Sequence, residues 1–298
     1  MNSSMFSSLY RCEMLVTNRC NFQCPYCRSI KGESDISLVE ATKILRDWIF
    51  EGLKNVRFSG GEPTLYKNLL DLVHIARRNG VEHIAISTNG SAETELYKNL
   101  IEGGVNDFSV SLDACCAGTG SIMSGVDKSW KDVIKNIKFL SSKRYTTVGI
   151  VLNERNEQEA ENIIMLAHDL GVADIRVIPS AQYNKFLSLD LPPNVINSHP
   201  ILKYRITSKR HVRGLSREDS RKCKLVLDDM AVWDGEHYPC IIYLREGGRS
   251  IGQVNNSMRK SRYDWYLKHD SWKDIICRKN CLDVCRTFNN TAARGNSL

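Results

Sequence analysis

The sequence lacks the features that would place the chain in or across a membrane. No run of apolar residues approaches the length of about 20 that spans a bilayer as a helix. The first residues, MNSSMFSSLYRCEMLV, have neither the basic start nor the apolar core of a secretion signal. Low-complexity segments and internal repeats are also absent, apart from an alternation of strands and helices. We therefore expect a cytoplasmic protein whose thiols stay reduced.

Cysteine, in contrast, is abundant, with eleven residues in a chain of 298. A disulfide framework suits small secreted domains and is excluded here by size and compartment. The cysteines cluster near the start and near the end, at Cys20, Cys24 and Cys27 and at Cys223, Cys240, Cys277, Cys281 and Cys285. Clusters at short spacing in a reducing compartment indicate metal ligation. Of the others, Cys12 is expected to pack, and Cys115 and Cys116 to be loop thiols near the site.

The chain carries a formal charge of +7, and the surplus lies mainly in residues 203–224. A solvated basic loop is the simpler interpretation. A docking surface for an acidic substrate, such as a nucleotide or an acidic peptide, is the alternative.

Six short apolar runs rich in β-branched residues alternate with amphipathic segments. The predicted strands are residues 14–17, 55–59, 83–88, 107–112, 147–152 and 174–179. Between them lie helical patterns, the first of which begins with a capping box formed by Ser37 and Glu40. We predict an α/β fold, a partial (β/α)6 TIM-like barrel with a small cysteine-rich C-terminal extension. The periodicity alone would also suit an open doubly wound sheet.

After Pro179 the pattern changes. Residues 183–222 are predicted to be a basic linker with little regular structure, because they contain LPPN, NSHP and many cations. From Cys223 a β-hairpin is expected to turn at Asp234 and Gly235. A single helix should then carry DSWKDIICRKNCLDVC. The predicted domains are thus a core over 10–182, the linker, and an extension over 223–298.

The stretch CNFQCPYC, residues 20–27, follows the first predicted strand. Three thiolates can hold three irons of a four-iron cube and leave the fourth iron open to a chelating small molecule. A structural zinc site would want a fourth ligand, and Glu13 is the sole acidic or histidine residue between Cys12 and Glu33. Polar neighbours make plain core packing a poor explanation.

This stretch resembles the CxxxCxΦC signature of the radical S-adenosylmethionine (SAM) superfamily, with Tyr26 as the aromatic residue. Three further motifs of that family follow, each at a predicted strand end: SGGEP, STNG and SLD. The resemblance implies that Cys20, Cys24 and Cys27 ligate a [4Fe-4S] cluster. It also implies that SAM is bound by Tyr26, Gly60, Gly61, Glu62, Thr88, Asn89, Ser111, Asp113 and Ala181.

One departure from the family concerns the carboxylate of SAM. Many relatives place an arginine or lysine before a glycine after SLD, where this chain has Ser124 before Gly125. Lys128 is a candidate substitute, and the alternative is that the contact is absent.

The closing cysteines resemble the SPASM/twitch extension that follows many radical SAM cores. Cys223 and Cys240 bracket a glycine at the spacing that opens such an extension, and CRKNCLDVC closes it. A full SPASM domain would carry seven cysteines here, so the resemblance implies one auxiliary [4Fe-4S] cluster. It is held by Cys223, Cys240 and two of Cys277, Cys281 and Cys285, and the spacing leaves that pair open. Zinc is the minority interpretation.

The resemblance implies an oxidoreductase or a peptide-modifying maturase. A 5′-deoxyadenosyl radical formed by reductive cleavage of SAM would take a hydrogen from the substrate. The outcome would be oxidation, crosslinking or epimerisation of a peptide, or oxidation or rearrangement of a small molecule. Because Cys20 is so close to the start, we expect no separate peptide-recognition domain before the core. A reductant such as flavodoxin or ferredoxin is implied, and a membrane partner is not.

Two other functions are each compatible with part of the sequence. The enzyme that makes the molybdenum-cofactor precursor shares the core motifs, but its terminal cysteine spacing and double-glycine tail differ from CRKNCLDVC and RGNSL, so that activity is set aside. A non-catalytic zinc protein contacting nucleic acid through residues 203–224 would explain cysteines and charge. It leaves SGGEP, STNG and SLD unexplained, so we do not expect nucleic acid to be a partner.

Overall fold

The computed structural model describes residues 9–185, 187–208 and 210–293. The ending RGNSL and Lys209 of the basic run lie outside the described residues. Within the described residues, no helix is both long enough and apolar enough to cross a bilayer.

A single sheet organises the molecule, and its first six strands are those predicted from the sequence. They are β1 (Arg11–Thr17), β2 (Asn55–Gly60), β3 (His83–Thr88), β4 (Asp107–Ser111), β5 (Tyr145–Leu152) and β6 (Asp174–Pro179). All neighbours among them are parallel, and the spatial order follows the chain from β1 to β6 without reversal. A doubly wound sheet would reverse its order, so the fold is a partial TIM-like barrel. The barrel is not closed, because β6 is an edge strand.

Helices cover the outer face of these strands. They are α1 (Leu38–Phe50), α2 (Leu69–Arg78), α3 (Thr94–Gly103), α4 (Ala117–Ser124), α5 (Ser129–Ser141) and α6 (Ala160–Asp169). The Ser37 hydroxyl accepts the Glu40 backbone N–H, so the predicted cap of α1 is confirmed. Trp48, Tyr97 and Phe108 are fully buried between the helices and the sheet. Helix α4 is not predicted by the sequence pattern.

The C-terminal extension continues the same sheet. Strand β7 (Asp229–Trp233) pairs in parallel with β1, and β8 (Glu236–Tyr238) and β9 (Gly252–Gln253) follow in antiparallel order. The predicted hairpin turn is confirmed, since Asp234 and Gly235 both adopt positive φ, at 51° and 72°. Two positive φ values in a two-residue turn match the right-handed twist of the paired strands. The extension is therefore anchored on the open side of β1.

The segment between core and extension is more regular than predicted. Helices α7 (Pro193–Ser198) and α8 (Pro200–Thr207) lie in residues expected to have little regular structure. Each begins at one of the prolines that suggested irregularity, because proline is well suited to the first turn of a helix. Arg205 of α8 donates two hydrogen bonds of 3.0 Å to Asp283 and a third of 2.9 Å to the Val177 carbonyl. This buried ion pair ties β6 to the extension.

Four more helices complete the extension: α9 (Ile241–Arg245), α10 (Met258–Lys268), α11 (Ile275–Asn280) and α12 (Asp283–Ala293). The prediction of one helix through DSWKDIICRKNCLDVC is wrong, because the chain is extended at Cys281. There the Cys281 carbonyl accepts the Gly214 N–H at 2.9 Å, and Leu282 forms a β-bridge with Arg213. Pairing with the preceding segment thus interrupts the helix and separates α11 from α12.

Candidate active site and cysteine clusters

A cavity of about 430 Å³ opens at the carboxyl ends of the barrel strands, and we call it the barrel cavity. Ligands in parallel α/β folds bind at this end of the sheet. Of the residues predicted to bind a cluster or SAM in the core, all but Glu62 line it: Cys20, Cys24, Cys27, Tyr26, Gly60, Gly61, Thr88, Asn89, Ser111, Asp113 and Ala181. Motifs separated by up to about 160 residues in the chain therefore meet in one space.

The loop that carries the first three cysteines is fixed at its base. Asn18 accepts the Ser34 N–H through its side-chain oxygen at 2.7 Å. Arg19 donates two hydrogen bonds to Asp35, at 2.9 and 2.7 Å, and one to the Leu65 carbonyl. Because both ends of the loop are held, the three thiols are presented together at the cavity.

The tip of the loop docks on the end of strand β3 and on the last residue of helix α4. Asn89 of STNG donates to the Asn21 side-chain oxygen at 2.8 Å, and Asn21 donates to the Ser91 hydroxyl at 2.9 Å. The Gln23 N–H donates to the Ser124 carbonyl at 2.7 Å. Gly125 has a φ of 67°, and a Cβ on it would lie 2.7 Å from the Gln23 carbonyl oxygen. The glycine after Ser124 thus admits the cysteine loop to this place.

The two glycines of SGGEP allow β2 to lie against the same loop. Gly60 has a φ of 155°, and a Cβ there would collide with the Thr17 carbonyl oxygen. A Cβ on Gly61 would collide with the Arg19 carbonyl oxygen. Only glycine fits this close backbone approach, which also leaves both residues open to the cavity.

Glu62 is buried behind the cavity rather than in its lining. Its carboxylate accepts from the Thr88 hydroxyl and the Asn89 N–H, each at 2.7 Å, and from the N–H and hydroxyl of Thr64. Burial raises the pKa of Glu62, and these donors oppose the rise by stabilising the charged form. The described contacts give Glu62 a positioning role between β2 and β3. A contact with SAM remains a prediction.

Tyr26 and Asp113 form a half-buried pair across the cavity. The Tyr26 hydroxyl donates to one carboxylate oxygen of Asp113, and the Val151 N–H donates to the other at 2.6 Å. Burial raises the pKa of Asp113 to about 6, although both hydrogen bonds lower it. Tyr26 therefore ties the cysteine loop to the end of β4.

Several residues of the site were missed by the sequence interpretation. Arg28, Arg57, Arg176, Arg213 and Arg245 line the barrel cavity. A signal existed for two of them, because Arg57 and Arg176 interrupt apolar strands in NVRFS and DIRVIP. Lys128, the suggested substitute cation, is exposed and does not belong to the lining.

The five late cysteines line a second, much smaller cavity of about 40 Å³, which we call the cysteine cavity. Its cysteines are Cys223, Cys240, Cys277, Cys281 and Cys285. The sulfur of Cys223 accepts from the Asn289 side chain, and that of Cys240 from the Tyr243 N–H, each at 3.5 Å. Burial is the first cause of the raised pKa of Cys223, Cys240 and Cys277.

The spacing of these sulfur atoms bears on the choice of metal. Four thiolates on a tetrahedral zinc ion at about 2.3 Å would lie about 3.8 Å apart. In the described part of the chain, no three of the five late cysteines form a group with sulfur atoms within 4.8 Å of one another. Cys277 instead forms a group with His269 and Asp274, in which the ligand atoms lie within 4.8 Å of one another. The sulfur atoms of the five cysteines are thus spread more widely than a single zinc ion with four cysteine ligands requires. The pair among Cys277, Cys281 and Cys285 stays open, since all three line the cavity.

The barrel cavity and the cysteine cavity share a wall. Ile242 of α9 and Leu282, next to Cys281, line both. The extension thus forms one side of the candidate active site, and two apolar side chains separate the two sets of cysteines.

The remaining cysteines lie away from the barrel cavity. Cys12 is packed in the core, as predicted. The Cys115 thiol donates to Glu159 at 3.1 Å, and Cys116 is exposed at the start of α4. Neither Cys115 nor Cys116 lines the cavity, so neither thiol is positioned to give a hydrogen atom to a ligand there.

Comparison with known proteins identifies the class. The family model for the radical SAM superfamily matches residues 14–167, which is more than half of the chain. The chain belongs to the radical SAM superfamily and is an enzyme of that class. The superfamily uses a [4Fe-4S] cluster and SAM. The alternative of a non-catalytic zinc protein is not supported.

Curated relatives match over the core. A protein named "Probable GTP 3′,8-cyclase" from Saccharolobus solfataricus is 32% identical over 171 residues, 55% of this chain and 54% of the relative. One of the same name from Metallosphaera sedula is 28% identical over 170 residues, 55% of this chain and 53% of the relative. The chain thus spans about half the length of these relatives.

Solved structures share the fold over a longer range. Streptococcus suis SuiB bound to its precursor peptide SuiA has a TM-score of 0.62 at 15% identity, covering 86% of this chain and 64% of that one. The enzyme anSMEcpe with bound AdoMet and a peptide has a TM-score of 0.60 at 15% identity, covering 85% and 80%. Coverage of this extent includes residues beyond the core, so the shared fold reaches into the extension.

Proposed function

We propose that Cys20, Cys24 and Cys27 hold a [4Fe-4S] cluster and that the barrel cavity binds SAM beside it. When bound, the reduced cluster would supply the electron that splits SAM and so generates the 5′-deoxyadenosyl radical that takes a hydrogen from the substrate. The observation that carries this proposal is that three thiols of one loop and the SGGEP, STNG and SLD strand ends meet in one cavity.

The protein's own residues would bind and orient SAM. Gly60 and Gly61 leave room for its amino group close to the backbone, and Ser111 and Asp113 are available to its carboxylate or ribose. Ala181 lies after β6, where the adenine is expected. No protein side chain needs to move a proton in the radical step.

Exclusion of water falls to apolar side chains of the lining. Phe22 and Trp130 line the barrel cavity from the core, and Ile241, Ile242 and Leu282 line it from the extension. A dry cavity prevents a reactive radical from being lost to side reactions.

We further propose that the five late cysteines supply four ligands to an auxiliary [4Fe-4S] cluster. Ile242 and Leu282 line both this cavity and the barrel cavity, so an electron left on a substrate radical would have a path to it through their shared wall. Such a path favours net oxidation of the substrate. A reductant such as flavodoxin or ferredoxin would serve the first cluster.

Anaerobic reconstitution tests the proposal directly. If each chain holds two [4Fe-4S] clusters, it should contain about eight irons and about eight labile sulfides. Incubation of the reduced protein with SAM should give 5′-deoxyadenosine, measured by chromatography. Zinc without labile sulfide, or SAM that stays intact, would contradict the proposal.

A further inference from the structure

The charges that line the barrel cavity do not balance. Five arginines contribute positive charge, and Glu13, Asp113 and Glu246 contribute negative charge. SAM cannot neutralise this excess, because its ammonium and sulfonium outnumber its single carboxylate.

Three of the five arginines already have carboxylate partners. Arg28 pairs with Glu246, Arg245 lies 3.4 Å from Glu13, and Arg57 lies 3.0 Å from Asp107. Arg176 and Arg213 have no carboxylate within ion-pair distance among the residues that the structure describes. The excess of positive charge is therefore located at these two side chains.

Arg176 projects from β6 into the barrel. One of its terminal nitrogens donates to the Ser109 hydroxyl, and its Nε is buried without a hydrogen-bond partner in the described structure. Burial, together with the nearby guanidinium groups of Arg57 and Arg205, lowers the pKa of Arg176 to about 10, so it stays charged near neutral pH. A charged guanidinium with a buried nitrogen that lacks a hydrogen-bond partner is costly unless a ligand supplies that partner.

Arg213, which follows α8 in the chain, has its side chain against the last residue of the same strand. Its Nε donates to the Pro179 carbonyl at 2.8 Å, which fixes the guanidinium at the edge of the cavity. Arg28 and Arg245 are close enough to lower its pKa further, after burial as the main cause, while Glu246 opposes them. An anion bound here would relieve that repulsion.

We propose that the substrate is a small molecule carrying one or more phosphoryl groups, and that Arg176 and Arg213 bind its anionic oxygens. This inference rests on the proposed function, since the ligand occupies the same cavity. A phosphoryl group carries close to two negative charges near pH 7 and matches two unpaired guanidinium groups better than one carboxylate does. The planar guanidinium donates two parallel hydrogen bonds to such a group.

The test is a calorimetric titration of inorganic pyrophosphate into the anaerobically reconstituted, SAM-saturated protein. Cluster absorbance is recorded throughout, so that loss of iron is not mistaken for binding. Arg213→Gln and Arg176→Gln should each weaken binding roughly ten- to a hundredfold, the usual value of a charge-assisted hydrogen bond. Arg210→Gln is the matched control, because that arginine is exposed and pairs with Glu218 at 2.8 Å outside the cavity. It should bind as the wild type does.

Equal affinity in the wild type, Arg213→Gln and Arg176→Gln would overturn the inference. So would an absence of binding to the wild type, or tighter binding of succinate or an acidic peptide than of pyrophosphate. If Arg176→Gln fails to fold by circular dichroism, Arg213→Gln decides the matter. Failure of the proposed function is separate, since it would appear as SAM left intact by the wild type whatever its affinity for pyrophosphate.

Discussion

The two cysteine clusters differ in how far they are open to a ligand. Cys20 and Cys27 are exposed on a loop that borders a cavity of about 430 Å³. The five late cysteines surround only about 40 Å³ of space among three helices and a hairpin. Three thiols facing a large cavity leave room for a small molecule at the metal. Five thiols around a much smaller cavity favour a cluster whose irons are all ligated by the protein and which accepts or passes electrons. We call these five cysteines the closed cluster.

The largest effect is expected when one thiol is removed from Cys20, Cys24 and Cys27, which we call the open cluster. Cys24→Ala should abolish 5′-deoxyadenosine formation and lower the iron content from about eight to about four per chain. The reason is that two thiolates cannot hold the cube while a third position binds SAM. Iron and sulfide assays with anaerobic absorption spectra measure the loss.

The reciprocal change is Cys240→Ala in the closed cluster, with Cys116→Ala as a control at an exposed thiol outside both cavities. Cys240→Ala should keep about four irons, those of the open site. Cys116→Ala should keep both clusters. If Cys24→Ala and Cys240→Ala each lost all iron, the two sites would not be independent and the comparison would fail.

The next largest effect is expected at a buried cation that stabilises the extension around the closed cluster. Arg262 is fully buried and donates to the carbonyls of Val226, Tyr238 and Asp229. Arg262→Met keeps the apolar stem but leaves these acceptors without donors, which should cost about 3 kcal/mol or more. Hydrogen exchange should show the loss in β7, β8 and α10.

A control for that variant lies on the same helix. Lys260 is exposed and pairs with Asp264 one turn away, so Lys260→Met should change the stability by less than about 1 kcal/mol. Equal exchange rates in Arg262→Met and the wild type would show that the extension does not rely on this residue.

The open cluster depends instead on a close backbone approach. Gly60→Ala would push a Cβ against the Thr17 carbonyl at a φ of 155°, a strain of roughly 1 to 3 kcal/mol. Because Gly60 lines the barrel cavity, the displacement should weaken SAM binding about tenfold, as measured by equilibrium dialysis. Gly118→Ala, which meets open space in α4, should leave SAM binding unchanged. Similar affinities for Gly60→Ala and Gly118→Ala would refute the steric explanation.

The sequence was most informative where local pattern and final structure agree. The six barrel strands were predicted because their apolar runs are continuous, and Asp234-Gly235 specified its turn through two positive φ values. Helix α4 was missed because its sequence, AGTGSIMS, contains two glycines and little periodicity. It forms where the cysteine loop docks on its last carbonyl groups.

Long-range contacts explain the other differences. The break between α11 and α12 follows from pairing of Cys281 and Leu282 with Arg213 and Gly214, which lie about 70 residues earlier. The role of Glu62 between β2 and β3 likewise depends on Thr88 and Asn89, which are distant in sequence. Such contacts leave no periodic signal, so local patterns cannot report them.

The smallest expected effect is a pH dependence of the stability of the extension. His237 is buried on β8, where its Nδ1 is 3.1 Å from an Arg262 nitrogen that can only donate. Burial, with the Arg262 charge as a second cause, lowers the pKa of His237 to about 3. The folded state therefore holds the imidazole neutral while an unfolded chain protonates it below about pH 6.5.

The sign follows from this difference in proton binding. A histidine whose folded pKa is depressed contributes stability that is fully present above the unfolded pKa and is lost as the pH falls. Below about pH 6.5 the free energy of unfolding should fall by up to about 1.4 kcal/mol per pH unit, so the change over the measured range from pH 7 to pH 5.5 should be about 1 kcal/mol. His237→Gln can still accept from Arg262 but does not titrate, so its unfolding should depend less steeply on pH. Parallel pH profiles for the wild type and His237→Gln, measured by hydrogen exchange in β8 from pH 7 to pH 5.5, would mean that burial does not keep the folded imidazole neutral.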